Sequence, residues 1–459
     1  MRLPPLVTSA IMLAALMTAQ AGHADTTDTR DSGDPIISPA LVAALQGTDR
    51  VRSIVELRPG QDATAVAQDI QAASNAARIV ESAKSPNFFV AELDGASLNK
   101  LKGDGRVRSV YKDELSSAFL DTSTKVVGSD RANAAGWTGR GTTVAVMDTG
   151  IDEDHPFFAG RIVDEACFST ANPSADAVSL CPNGQPSQTG PGAANSEIAL
   201  CVVNGENQCS HGTHVAGIAA GALPAVGAPS NGVAPGANLL PIQVFTRINS
   251  ATACGSAGAR SAPCYLSYTS DQKLALEYVA RSARERRISA VNMSLGGGGP
   301  FTAPCDDDAS AGAHKAQFDA LVALGVAPVV AAGNSGFDGV ASPACVSSAV
   351  TVGATDDSDR IATFSNRGPL LDVFAPGVRI NSSVPDDSWA ELSGTSMAAP
   401  HVAGGFAVMR QAYPNATVAE IIRNLQNTGT GIQYASGSAQ VSTERIDLGN
   451  ATGQARQNA

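Results

Sequence analysis

Two rhythms of apolar and polar residues divide the chain. In the first, Ser53-Ile54-Val55-Glu56-Leu57 alternates with a period of two, Ala63 to Ala73 carries helical spacing, and Asn87-Phe88-Phe89-Val90-Ala91-Glu92-Leu93 alternates again. Gly95 to Leu101 predicts a short second helix, and Arg106 to Tyr111 a last strand. The order strand, helix, strand, strand, helix, strand defines a small α+β unit, placed at 49–116, that holds no Cys and no His. Downstream, continuous apolar runs replace the alternation: Thr143 to Met147, Asn238 to Val244, Ala290 to Ser294, Val326 to Ala331 and Ala349 to Val352, with helical stretches such as Asp271 to Arg284 between them. Strands apolar on both faces and separated by helices predict an α/β fold, a parallel sheet flanked by helices, over 125–449. Chemistry in such a sheet is expected at the carboxyl ends of the strands.

The flanking segments read differently. Met1-Arg2, an apolar stretch from Leu3 to Met17 and then Ala19-Gln20-Ala21 form the charge, apolar core and small-residue pattern of a secretory signal, assigned to 1–24. A membrane anchor is the weaker reading, because the run is shorter than the ~20 residues that span a bilayer and contains Pro4 and Pro5. The polar, Asp- and Thr-rich stretch 25–48 predicts a flexible linker. Between Lys112 and Lys125 the pattern lapses around Phe119-Leu120, an exposed and cleavable connector. The residues 450–459 read as a tail. An α+β unit between a signal and the main domain reads as a pro-segment.

Composition sharpens this picture. Hydrophobic residues make up 43% and charged residues 16%, against roughly 25% charged in ordinary soluble domains. A formal net charge of −12 argues against a nucleic-acid partner, since no clustered basic surface is visible. The eight cysteines all lie downstream of the α+β unit in a chain read as exported, extracellular or periplasmic in transit, so disulfides are expected. No C-x-x-C pair supports a metal site. Close spacing favours Cys201 with Cys209 and Cys254 with Cys264; the pairing of Cys167, Cys181, Cys305 and Cys345 stays open.

Three strand ends or helix starts carry candidate chemistry. The strand Thr143 to Met147 runs into Asp148-Thr149-Gly150-Ile151-Asp152, where a carboxylate meets a Gly turn. Ser210-His211-Gly212-Thr213-His214 opens a Gly- and Ala-rich helix; the two histidines lack the i, i+4 spacing and the Glu of a zinc helix, so His211 takes the chemistry and His214 a packing role. Ser393-Gly394-Thr395-Ser396-Met397-Ala398-Ala399-Pro400 sets a serine at a positive helix end. Pro400, read as a first-turn residue, is expected to fix where that helix starts.

These three motifs, in the order Asp, His, Ser, resemble the subtilases over roughly Gly128 to Gly449. The resemblance implies a subtilisin-like sheet and a serine endopeptidase acting on protein or peptide substrates, with Asp148, His211 and Ser396 as triad. Asn334, in Ala332-Gly333-Asn334-Ser335-Gly336, matches the asparagine that donates to the oxyanion. Ser294, Leu295, Gly296 and Gly297, with Ala332 and Gly333, match the family's substrate-binding walls. The 49–116 unit resembles the subtilase propeptide, an intramolecular inhibitor removed by self-cleavage, here expected between about Asp113 and Lys125. The cysteine-bearing stretches between Asp148 and His211 and over Asn249 to Tyr268 look enlarged, which leaves subsite preference open. A monomer is expected.

Other readings fit less well. Asp31-Ser32-Gly33 could pair with Asp148-Thr149-Gly150 as in an aspartic protease, but lies in a polar segment. An α/β-hydrolase needs Gly-x-Ser-x-Gly, which is missing. No catalytic metal and no required cofactor are expected. The runs Asp306-Asp307-Asp308 and Asp356-Asp357-Ser358-Asp359 meet no Ca²⁺-loop spacing and read as solvated loops, with structural Ca²⁺ left open.

Overall fold

The computed structural model describes residues 35–58, 60–74, 77–84, 88–112, 120–256, 261–437 and 439–453. The expected signal, Asp31-Ser32-Gly33 and 113–119 of the connector lie outside them. The chain divides into two compact units, Met1–Ser117 and Ala118–Ala459.

In the first unit, β1 (Ile36–Ile37), α1 (Pro39–Gly47), β2 (Val51–Leu57), α2 (Ala63–Ala73), β3 (Arg78–Lys84), β4 (Phe88–Leu93), α3 (Gly95–Lys102) and β5 (Val107–Lys112) follow one another. The strands form one sheet in the order β1-β5-β2-β4-β3. Alternation in β2 sends Val51, Ser53, Val55 and Leu57 inward, where Val55 and Phe89 meet Ile70 of α2 and Leu101 of α3. The α2 and α3 starts are each fixed by a carboxylate: Asp62 accepts from the Thr64 and Ala65 N–H groups, and Asp94 from the Ser97 N–H. The flexible-linker reading of 25–48 fails over its described end. Ser38 N–H donates to Val110 O, and Leu41 of α1 is fully buried. Averaging composition over the polar stretch hid a short apolar helix face that Pro39 begins.

The second unit opens with α4 (Leu120–Val126) and α5 (Ser129–Ala134), then builds a ten-stranded sheet. Its strands are β6 (Thr143–Asp148), β7 (Ala166–Phe168), β8 (Ser187–Thr189), β9 (Asn238–Gln243), β10 (Ile288–Met293), β11 (Ala327–Ala331), β12 (Val350–Thr355), β13 (Val373–Pro376), β14 (Thr430–Ser436) and β15 (Ala439–Arg445). Their spatial order is β14-β15-β13-β12-β11-β10-β6-β9-β7-β8. All pair in parallel except the edge strands β14 and β8. All five predicted buried strands are present. The order reverses at β6, which lies between β9 and β10, so a crevice is expected at its carboxyl end.

Helices cover both faces, as continuous apolar strands require. Val144 and Val146 of β6 pack with α6 (Ser210–Ala220) and α9 (Thr395–Ala412), while Ala145 and Met147 pack with α7 (Thr269–Ser282) and α8 (Lys315–Ala323). Small residues let α6 and α9 approach: a Cβ on Gly404 would lie 2.5 Å from the Ala219 carbonyl oxygen. Four disulfides join Cys167–Cys181, Cys201–Cys209, Cys254–Cys264 and Cys305–Cys345. Both preferred pairs are among them.

Two boundaries change. The connector is only partly exposed over its described part: Lys125 is exposed, but α4 buries Ser123, whose hydroxyl meets His401 Nε2 at 2.9 Å. The tail over 450–459 begins as helix, since Leu448–Gly453 is helical with Ala451 and Thr452 buried. No helix among the described residues is long and apolar enough to cross a membrane.

Phe406 of α9 is fully buried, whereas Leu274 of α7 is 48% exposed. Phe406→Ala should lower unfolding stability by about 3–5 kcal/mol, and Leu274→Ala by no more than about 0.5 kcal/mol. Denaturant unfolding followed by tryptophan fluorescence checks the contrast.

Candidate active site

Asp148 ends β6 and is fully buried. Its Oδ1 accepts from the Thr149 N–H at 2.7 Å and meets His211 Nδ1 at 2.7 Å. A carboxylate oxygen only accepts, so Nδ1 carries the hydrogen and Nε2 is left with its lone pair facing away from Asp148. Burial pulls the His211 pKa down, but the charge of Asp148 and its hydrogen bond outweigh this and hold the pKa above the ordinary value. Asp148 Oδ2 is buried without a hydrogen-bond partner among the described residues.

The α6 start is clipped to the β6 end. Thr149 Oγ1 donates to Cys209 O at 2.8 Å and accepts from the Gly212 N–H at 2.9 Å. A Cβ at Gly212 would collide with the Gly150 carbonyl oxygen, so only glycine permits this approach. The Cys201–Cys209 bridge anchors the residue one position before α6 begins. His214 lies one turn on, fully buried, donating from Nε2 to the carbonyls of Ile380 and Ala390. Burial pushes its pKa down to about 3. It remains neutral and joins α6 to a hairpin, in keeping with a packing role.

Ser396 is the second residue of α9. Pro400 does not mark the first turn as expected; it sits inside the helix. A proline there removes the N–H that would reach the carbonyl four residues earlier, that of Ser396. Ser294 Oγ supplies the missing donor at 2.7 Å, and itself accepts from Asn292 Nδ2 at 3.0 Å. The helix continues because the strand beside it repairs the lost bond. Ser396 Oγ donates to Ser294 O at 3.3 Å, and no hydrogen bond joins it to His211 among the described residues.

Asn334 follows β11. Its Oδ1 accepts from the Thr395 N–H at 2.8 Å and from Thr395 Oγ1 at 2.9 Å. A backbone N–H can only donate, so these bonds fix the amide orientation and leave both Nδ2 hydrogens uncommitted. Asn334, Ser396, Ser294, Leu295, Gly296, Gly297 and Gly333 line one cavity of about 310 Å³. Ala332 does not; its carbonyl is taken by the Ala341 N–H and Asn366 Nδ2, and Ala331 lines the cavity instead.

Asn366 also lines this cavity and had not been singled out. It is buried, and its Oδ1 accepts from the N–H groups of Ser335 and Phe337 at 3.0 and 3.1 Å. It braces the loop that carries Asn334. The polar turn Ser365-Asn366-Arg367-Gly368-Pro369 was the available signal.

Several carboxylates of the two acidic runs are taken up by partners within the chain. Asp306 accepts from Ser347, Asp308 from the Ser310 and Ala311 N–H groups, Asp356 from Arg360, and Asp359 from Arg445. Asp152, Asp154 and Glu197 instead bring carboxylate oxygens within 4.8 Å of one another. Burial, with Asp154 and Glu197 nearby, pushes the Asp152 carboxyl up to about 7.

A parallel sheet with His211 bound to a buried strand-end carboxylate, beside a cavity holding a helix-start serine and an asparagine amide, defines the class of subtilisin-like peptidases. Residues 139–444 match the model of the Subtilase family. Subtilisin E of Bacillus subtilis (strain 168) is 31% identical over 354 residues, covering 76% of this chain and 76% of that protein. The Extracellular serine proteinase of Thermus sp. (strain Rt41A) is 33% identical over 374 residues, covering 77% and 75%. A crystal structure of a cold adapted subtilisin-like serine proteinase aligns at 29% identity with a TM-score of 0.47, over 68% of this chain and 89% of that one. The chain belongs to the subtilase family, and is a serine endopeptidase.

Replacing Asn366 by Ala removes the acceptor of the part-buried Ser335 and Phe337 N–H groups and the donor to the Ala332 carbonyl. The variant should lose about 1–3 kcal/mol of stability and have a lower kcat, because the Asn334 loop loosens. Denaturant unfolding and peptide-hydrolysis kinetics measure the two effects.

Proposed function

We propose that this chain is made as a self-processing precursor and exported, and that Asp148, His211 and Ser396 then cleave peptide bonds through an acyl-enzyme. The observation that carries the reading is the 2.7 Å bond between His211 Nδ1 and the buried Asp148 carboxylate. It fixes the tautomer that leaves Nε2 as the base.

Ser396 Oγ rotates from its 3.3 Å bond with Ser294 O toward His211, gives its proton to Nε2 and attacks the scissile carbonyl. Negative charge moves onto the carbonyl oxygen. The uncommitted Asn334 Nδ2 and the Ser396 N–H, which as a first-turn amide has no partner within its helix, receive it. His211 then protonates the leaving amine, and water repeats the sequence on the ester. Gly297, Gly298 and Gly299 are exposed and side-chain-free, suited to pairing with an extended substrate through its backbone. No cofactor enters these steps. Calcium, where the family carries it, is structural, and Asp152, Asp154 and Glu197 have the chemistry to hold it.

The α+β unit placed at 49–116 acts, in this reading, as the inhibitory propeptide. Self-cleavage falls within the expected Asp113 to Lys125 interval, and its α4 portion is disfavoured because a peptidase takes extended, accessible backbone while Ser123 is buried and bonded to His401. The apolar leader and the four disulfides support export. In this reading the enzyme acts as a monomer on protein and peptide substrates.

Ser396→Ala should abolish peptide hydrolysis and fluorophosphonate labelling, and should leave the precursor uncut when it is produced alone. Hydrolysis or labelling that persists would overturn the triad. Asn334→Ala should retain labelling but lose about 10²–10³ in kcat, the family value, measured on subtilisin itself. For pH, the base must be neutral in free enzyme. Asp148 raises the His211 pKa above its ordinary 6.5, so imidazolium persists to higher pH and kcat/KM should rise through a midpoint above 6.5. Removing the charge with Asp148→Asn should move the residual activity's acid limb to lower pH.

A further inference from the structure

A second cavity, of about 370 Å³, lies at the opposite end of the sheet from Ser396. It is bordered by Gly141 and Thr142 just before β6, Arg287 just before β10 and Gly325 just before β11, so it sits at the amino ends of the central strands. β6 is six residues long, which separates this cavity from the Asp148 end by about 20 Å.

Arg140, Arg284, Arg287 and Arg410 line it, and no carboxylate does. In a chain of net charge −12, four guanidinium groups converge where no counter-charge is supplied. The ordinary account is that arginines complement helix carboxyl ends, and α7, α8 and α9 do end beside this cavity. That account covers Arg410, which donates to the carbonyls of Gly325, Pro414 and Ala416. It does not cover the rest. Three helix ends contribute roughly −0.5 each, about −1.5 together, against four positive charges. The guanidinium groups of Arg140, Arg284 and Arg287 make no hydrogen bond or ion pair among the described residues.

Arg287 adds an independent observation. Its φ is 53°, the left-handed conformation that favours glycine. Its main chain turns sharply into β10, with its carbonyl accepting from the Thr143 N–H at 3.0 Å. A long cationic residue occupies a position whose backbone asks for glycine, and its side chain borders the cavity.

We propose that these four arginines form a binding site for a compact polyvalent oxyanion of the phosphate or sulfate type, distinct from the peptidase site. Planar guanidinium forks bind such oxyanions in bidentate fashion, and a cavity of this volume suits a small ligand. The residues are far apart in sequence, so no basic run announces them.

Isothermal titration of the full chain carrying Ser396→Ala, which keeps it intact, with sodium pyrophosphate tests this, using sodium chloride at equal ionic strength as reference. Saturable binding of one pyrophosphate per chain is expected, weakened at least tenfold by Arg284→Gln with Arg287→Gln and several-fold by Arg140→Gln. These side chains are exposed, so the ligand-free melting temperature should stay unchanged while the pyrophosphate-induced rise in melting temperature is lost. Heats equal to those of chloride, or a double variant binding within twofold of its parent, would overturn the site. The outcome is independent of whether Ser396 is the nucleophile.

Discussion

Everything at the active site depends on keeping a carboxylate fully buried at the end of β6. An ionised carboxylate is costly to remove from water unless hydrogen-bond donors replace its hydration. Asp148 receives one from its neighbour's backbone and one from His211, both on the same oxygen. The other oxygen finds none among the described residues. The carboxylate therefore holds the imidazole firmly, since losing it would leave a buried charge with a single donor. The elevated His211 pKa expresses the same attraction.

That demand explains features otherwise unrelated. His211 must approach a strand end closely, so the α6 start is built from Ser210, His211 and Gly212, and the Thr149 hydroxyl ties the two segments together. The disulfide next to it restrains the incoming loop. On the other side, Ser396 must stand at a helix start while Pro400 interrupts the helix one turn later, and Ser294 mends the interruption. Ser294 thus belongs to the support of Ser396 as well as to the cavity wall. Asn334 is oriented by Thr395, the residue before Ser396. The serine and the asparagine amide are consequently positioned by one continuous hydrogen-bonded unit.

The central strands were legible because a strand covered on both faces must be apolar throughout, and Thr143 to Met147 or Val326 to Ala331 admit few alternatives. The residues that follow them were legible for the same reason: a polar side chain directly after such a run stands at the sheet's rim. Features assembled from distant segments were not. Asn366 reaches the Asn334 loop from across a strand connection, and Cys305 meets Cys345 over 40 positions, whereas the short Cys201–Cys209 and Cys254–Cys264 loops were readable. The helix at Pro39–Gly47 was hidden by its polar surroundings. Pro400 was misread because the compensating hydroxyl lies 106 residues upstream, in a place only the fold reveals.

The parallel sheet gives its two ends opposite electrical characters. Where strands end, helices begin, and their free N–H groups favour developing negative charge. Ser396 and its amide occupy that end. Where strands begin, helices finish, and their exposed carbonyls favour cations, which is why Arg410 can be half-buried beside Gly325 although burial depresses its pKa. Helix polarity thus sorts the functional groups before any side-chain detail is considered. A nucleophile that must create an oxyanion belongs at the carboxyl rim. An arginine cluster is tolerated at the amino rim without carboxylates, and four arginines exceed what three helix ends neutralise, so the excess positive charge remains available to a ligand.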